Sequence, residues 1–138
     1  MEQEIQLQKN REIETAIAAL QKEPTEEMLA HALTAIRRRL RERGRFLVSL
    51  DQKEGDGTLQ MRAISTSDGR NWFTAFTSFE EQLKGSNAVM SAFTADIDQL
   101  FRMTLEAEGI EGLILNPWHR TIMLDKQLIQ IVMQSSNV

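Results

Sequence analysis

The sequence predicts an α+β fold, a largely antiparallel sheet with an N-terminal helical pair and further helices packed against it. Three observations carry that prediction. Apolar residues recur every three to four positions up to Leu40 and every second position from Phe46, the change of period that separates helix from strand. The run Ser67-Asp68-Gly69-Arg70-Asn71-Trp72-Phe73-Thr74-Ala75-Phe76-Thr77-Ser78-Phe79-Glu80-Glu81 holds a hairpin turn, an aromatic strand and a helix start without a break. Gly112-Leu113-Ile114-Leu115 is a compact buried strand stopped by Asn116-Pro117, because proline has no backbone N–H to give to a ladder.

Residues 3 to 22 form a first amphipathic helix, with Ile13, Ala16, Ile17 and Leu20 on one face. Pro24 cannot continue it. Thr25 is an N-cap, and Glu26 and Glu27 put negative charge where the helix dipole favours it, so a second helix starts there. Its stripe is Met28, Leu29, Ala32, Leu33, Ile36 and Leu40, and Gly44 supplies the left-handed residue at its end. The two helices pack as a hairpin or clasp the sheet. The apolar stripe of the first is narrow, so residues 1–22 are expected to be partly detached from the domain and free to pack on a second copy or a partner.

Phe46, Val48 and Leu50 share one face of a first strand ending near Asp51, and Gly55-Asp56-Gly57 is a turn. Leu59, Met61, Ala63 and Ile64 make a second strand, and Asp68-Gly69 a tight two-residue loop. Asn71 to Thr77 make a third, completing an antiparallel meander. Ser78 and Glu81 have the spacing of a capping box for a short helix that runs to about Lys84 and stops at Gly85. Residues 88 to 93 are read as a short strand. Thr94 and Asp96 open a helix with Ile97, Leu100, Phe101 and Leu105 inward and Gly109 at its end. After Asn116-Pro117 a strand over Thr121 to Leu124 returns beside residues 112–115, and Asp125 caps a last helix carrying Leu128, Ile129 and Val132. Ser135 to Val138 are expected to fray.

With 138 residues, the chain fits one domain with a real core, spanning 1–138. It has no cysteine, which excludes disulfides, thiol catalysis and thiolate zinc sites. A net charge of -4 predicts no general attraction to nucleic acid or anionic lipid. No apolar run approaches the length that crosses a bilayer, and Met1-Glu2-Gln3-Glu4 lacks the basic end and apolar centre of a secretion signal, so a cytoplasmic protein is expected.

The order of elements, together with Asp68-Gly69-Arg70-Asn71-Trp72-Phe73-Thr74-Ala75-Phe76-Thr77-Ser78 with Glu81 and the later Gly112-Leu113-Ile114-Leu115-Asn116-Pro117, resembles the N-terminal domain of the SseB family, named for enhanced serine sensitivity. The likeness covers most of the chain. It implies an α+β fold in a bacterial setting and supplies no reaction, cofactor or catalytic residue. The shared positions have structural explanations: Gly69 for the turn, Trp72 and Phe76 for packing, Ser78 for the cap and Pro117 for the strand exit. Longer members carry a second domain after this one.

Arg37-Arg38-Arg39-Leu40-Arg41-Glu42-Arg43-Gly44-Arg45 holds six of the sixteen basic residues in nine positions. On a helix Arg37, Arg38 and Arg41 are neighbours, a pattern that can gather guanidinium groups on a phosphate or an acidic partner. The plainer reading, cations complementing the dipole at a helix end, is preferred. Duplex nucleic acid is disfavoured, because no recognised DNA-binding module accompanies the run.

Trp118 and His119 fall on a loop, where binding residues are often held by a rigid scaffold, and tryptophan is an effective interface anchor. The preferred alternative has Trp118 folding back to close the core of a small domain. His119 suits acid–base chemistry only with a carboxylate or nucleophile in reach, and Asp125, Asp96 and Thr121 are the candidates that sequence offers. His31 is read as a boundary residue of the second helix. No His-x-x-x-His pair, nucleophile elbow, phosphate-binding glycine loop or calcium loop is present. The methionines fall in apolar patterns and are read as core filler.

The expected function is therefore a non-catalytic protein-interaction module or accessory, without cofactor, partnered by protein and able to form a homodimer through its N-terminal helices. The alternatives are an anion- or nucleic-acid-binding accessory using Arg37 to Arg45, and a small enzyme using His119.

Overall fold

The computed structural model describes residues 6–52, 59–84 and 92–134. The expected turn at Gly55-Asp56-Gly57, the stop at Gly85, residues 88–91 and the terminal residues 135–138 lie outside the described residues. After a helical turn at residues 6–8 the chain breaks at Lys9 and Asn10, then forms α1, Arg11–Lys22. The N-terminal amphipathic run is thus split rather than continuous. The reason lies in Asn10, which makes no cap bond to α1 and instead donates from Nδ2 to the carbonyls of Arg45 (2.9 Å) and Thr77 (3.1 Å). α2, Glu26–Arg41, starts as anticipated, with Thr25 Oγ1 accepting from the Met28 N–H at 3.1 Å.

The apolar stripe of α1 is not held out for a partner. Ile13, Ala16 and Ile17 are buried in the same core cluster as Ala32, Leu33, Ala35 and Ile36 of α2. The end of α2 also differs from expectation. The left-handed residue is Arg43, at φ 63°, and Gly44 serves a different purpose. A Cβ at Gly44 would stand 2.7 Å from both the Arg39 carbonyl and the carbon of its guanidinium, so only glycine lets that buried side chain pass.

β1, Arg45–Gln52, is the centre of a three-stranded sheet, antiparallel to β2 (Leu59–Met61) on one side and β5 (Ala92–Asp96) on the other. Residues 59–64 are not one strand. β2 belongs to the first sheet, whereas β3, Ala63–Ser65, opens a second sheet with β4 (Asn71–Ala75), β6 (Ile110–Leu115) and β7 (Ile122–Asp125), in the order β3-β4-β6-β7. Arg62 is the pivot: its N–H donates to the Ser49 carbonyl of β1 at 3.2 Å, and its own carbonyl accepts from Thr74 Oγ1 of β4 at 3.2 Å. The β3 to β4 (Asn71–Ala75) connection is a three-residue loop instead of a two-residue one. Gly69, at φ 86°, donates to the Thr66 carbonyl, and the Thr66 N–H closes the hairpin on the Arg70 carbonyl at 2.8 Å. A turn followed by a left-handed glycine is the usual three-residue solution.

From β4 the chain crosses through α3 (Phe79–Leu83), β5 and α4 (Ile97–Glu106) to β6 (Ile110–Leu115), which runs parallel to β4. Ser78 caps α3 through the Glu81 N–H, and Asp96, the last residue of β5, caps α4 through Asp98 and Gln99. Thr94, expected at the start of α4, belongs to β5. β7, Ile122–Asp125, returns antiparallel to β6, and Asp125 Oδ1 caps α5, Lys126–Gln134, at 2.8 Å. Gly112 is where these strands come closest: a Cβ there would lie 2.1 Å from the Leu124 carbonyl.

α1, α2, α4 and α5 share one core with both sheets. Phe46 and Val48 of β1, Leu113 and Leu115 of β6, Ile122 and Leu124 of β7, and Ile97, Leu100, Phe101, Ile129 and Val132 of α4 and α5 form one core with the helical hairpin. Phe46 and Phe101 meet edge to face with ring centroids 6.4 Å apart. Leu47, on the opposite face of β1, is buried with Leu7 and Phe76. Two reciprocal 2.8 Å hydrogen bonds between Leu47 and Phe76 tie the first sheet to the end of β4. Among the methionines, Met61 and Met133 pack against the core, but Met103 and Met123 are exposed.

Candidate partner-binding site

The loop after β6 carries Trp118 and His119, and buried polar groups fix it from below. Asn116 is fully buried in the left-handed region at φ 57°. Its Oδ1 accepts from the Thr77 N–H at 2.9 Å and its Nδ2 donates to Thr77 Oγ1 at 3.0 Å, while its own N–H reaches the Ala75 carbonyl at 2.8 Å. Thr121 Oγ1 closes the loop on the Asn116 carbonyl. Arg120, also left-handed at φ 50°, pairs through Nη1 with Glu14 Oε1 at 3.4 Å. Glu14 Oε2 accepts from Thr77 Oγ1 at 2.5 Å. A loop so tied to β4, β6 and α1 has little freedom of its own.

On this base Trp118 is 44 % exposed, so the reading in which it folds back to close the core does not hold. The other tryptophan, Trp72 of β4, is the buried one, at 6 % exposed. His119 stands beside it with a carboxylate in reach, but the partner is Glu81 of α3, at 2.9 Å from Nδ1, and none of the candidates read from sequence. Glu81 is 3 % exposed and its Oε1 has no hydrogen-bond partner among the described residues. The Ser78–Glu81 pair is therefore only half of the expected box. Ser78 caps the helix, and the Glu81 carboxylate turns to the loop. Chemically, a carboxylate on Nδ1 orients an imidazole. Among the described residues, however, no cluster of His, Asp and Glu that could hold a metal accompanies it.

The arginine run disperses. Arg37 donates to the Val132 and Ile131 carbonyls at the end of α5 (3.2 and 3.1 Å). Arg38 pairs with Glu12 of α1. Arg39 is 4 % exposed and holds Asn10 Oδ1, the Gln6 carbonyl and Glu42. Arg45 grips Thr94 through its hydroxyl and carbonyl (3.0 and 2.8 Å). Arg41 is exposed on the last turn and has an interaction of its own. Arg37, Arg38 and Arg39 thus fasten α2 to α5, to α1 and to the N-terminal turn, Arg45 ties β1 to β5, and Arg37 and Arg38 do not converge on a common point. His31 is exposed.

A cleft of about 470 Å³ opens where the start of α1 meets α3 and the loop, lined by Leu7, Arg11, Glu14, Phe79, Glu80 and Arg120, among others. Phe79 is 38 % exposed at its edge. Sequence reasoning passed over the groups that build this region. Asn10, Ile13, Glu14 and Ile17 fall on one helical face at spacings of 3, 4 and 7. Two polar residues in an apolar stripe were the available signal that something buried needed hydrogen bonds.

No helix among the described residues is long and apolar enough to cross a membrane. Searches of the curated proteins and of the solved structures find no significant match. The family model described as the SseB protein N-terminal domain matches residues 13–130, from the buried stripe of α1 to α5. That span takes in both sheets, the Trp118 loop and most of the cleft wall, and the chain belongs to the SseB family.

Proposed function

We propose that this domain is a non-catalytic protein-interaction module whose contact surface centres on Trp118. The observation that supports this is a large aromatic side chain, 44 % exposed, on a loop fixed by the buried Asn116–Thr77–Glu14 network. An indole presented rigidly loses little entropy when a partner covers it, which is why tryptophan dominates interface energetics. The surface continues onto α3, where Phe79 and Leu83 are exposed and His119 ties the loop to Glu81.

Affinity purification from the native lysate at moderate salt, beside a Trp118→Ala variant, tests the reading. A stoichiometric protein retained by the wild type and lost by the variant supports it. Equal recovery by both moves the contact elsewhere and sinks it. Light scattering on the purified chain identifies the case in which that partner is a second copy, the commonest symmetric pairing.

A further inference from the structure

Resting on that interaction reading, we propose that the cleft beside α3 takes one carboxylate of an acidic peptide segment of the partner, with an apolar neighbour beside it. Two guanidinium groups on the cleft have donors to spare. Arg11 makes no hydrogen bond or ion pair among the described residues. Arg120, with a side chain 41 % exposed, uses Nη1 alone among the described residues, at a long 3.4 Å from Glu14. Its Nε and Nη2 remain for a ligand, and its backbone is held in a conformation that non-glycine residues seldom adopt.

The carboxylate on the floor is already answered: Glu14, 8 % exposed, takes the Thr77 hydroxyl and Arg120. It therefore sets the position of Arg120 and does not attract a cation of its own. Glu80 is the other acid on the lining and is exposed, so it repels a second negative charge and limits the segment to one acid at the arginine end. Leu7 and Phe79 supply an apolar wall that a bare anion leaves unused, whereas a glutamate flanked by an apolar residue meets both surfaces. The cleft volume lies in the range of sites that hold a few side chains.

The test is a nitrogen-15 NMR titration of the full chain with the capped peptide acetyl-Gly-Glu-Phe-Gly-amide, its Gln analogue and sodium glutarate. Saturable shifts are expected at the Thr15, Ser78 and Glu80 amides and at the Arg11 and Arg120 Nε–H groups. Binding should be about tenfold weaker for the Gln peptide and for Arg11→Gln, the loss of one charge-assisted contact. Equal affinity for the Glu and Gln peptides, indifference to Arg11→Gln, or no shifts at these positions overturns the assignment. Glutarate binding as tightly as the peptide reassigns the cleft to small dicarboxylates and overturns the peptide source. Arg11 is exposed, so its replacement leaves the fold intact. If Trp118→Ala abolishes partner capture but Arg11→Gln leaves it unchanged, the cleft assignment fails alone; if neither matters, the interaction reading fails with it.

Discussion

Replacing Asn10 by alanine should unfold the domain far more readily than its place near a helix start suggests. The side chain is fully buried and makes three tertiary hydrogen bonds: to the Arg45 carbonyl, to the Thr77 carbonyl, and from Arg39 Nε at 2.9 Å. Each neutral bond contributes about 1 kcal/mol and the charge-assisted one about 2 kcal/mol, so the loss is about 4 kcal/mol. Against about 7 to 20 kcal/mol for a domain of this length, that is a large fraction. Urea denaturation followed by tryptophan fluorescence measures it, because Trp72 is buried and reports loss of packing. With a slope of about 2 kcal/mol per molar urea, the midpoint should fall by about 2 M. Arg39→Met removes the charge that Asn10 partners, and the double variant should be less destabilised than the sum of the single ones by about 1 to 2 kcal/mol. A loss under 1 kcal/mol for Asn10→Ala, or strict additivity, would refute the view that this asparagine joins the N-terminal turn, β1 and the end of β4 as one unit.

Gly112→Ala forces a methyl group to within 2.1 Å of the Leu124 carbonyl and should destabilise by at least about 3 kcal/mol, read as a fall in melting temperature. Trp118→Ala should change stability by less than about 0.5 kcal/mol in the same melt, because its indole is substantially exposed, so any lost binding is not lost folding. The Asp68 carboxyl is held below its ordinary range by the hydrogen bond from the Thr66 hydroxyl and then by the Arg70 N–H. A depressed folded value means that this contribution to the hairpin is present above the unfolded carboxylate value and disappears as pH falls through the folded one. An NMR titration of Asp68 in Thr66→Val should show its midpoint rising toward the ordinary value; an unchanged midpoint would discount the hydroxyl.

Much of the fold was legible where a local rule decided it. Thr25, Ser78, Asp96 and Asp125 cap their helices through their own side chains, as short-range chemistry dictates. The losses occurred where a distant group overrode the local one. Nothing around Arg62 announces that its N–H and carbonyl are claimed by different sheets. Gly44 has the spacing of a helix stop, yet the requirement there comes from the Arg39 side chain. For the candidate site, Trp118 and His119 were visible as loop residues after a proline turn. Their supports, Glu14, Thr77, Glu81 and Asn116, come from α1, the end of β4, α3 and the end of β6, and only the folded chain brings them together.

The sheet switch at Arg62 and the excursion of β5 into the first sheet interleave the two sheets along the chain. A truncation anywhere between Ala75 and Ala92 leaves neither sheet whole on either side, because β1 and β2 lie before it and β5 after, while β3 and β4 lie before it and β6 and β7 after. No half of the domain can therefore be inherited, expressed or exchanged as an independent piece. The aromatic loop near the C-terminal end exists as a surface only when residues from the N-terminal end are already in place.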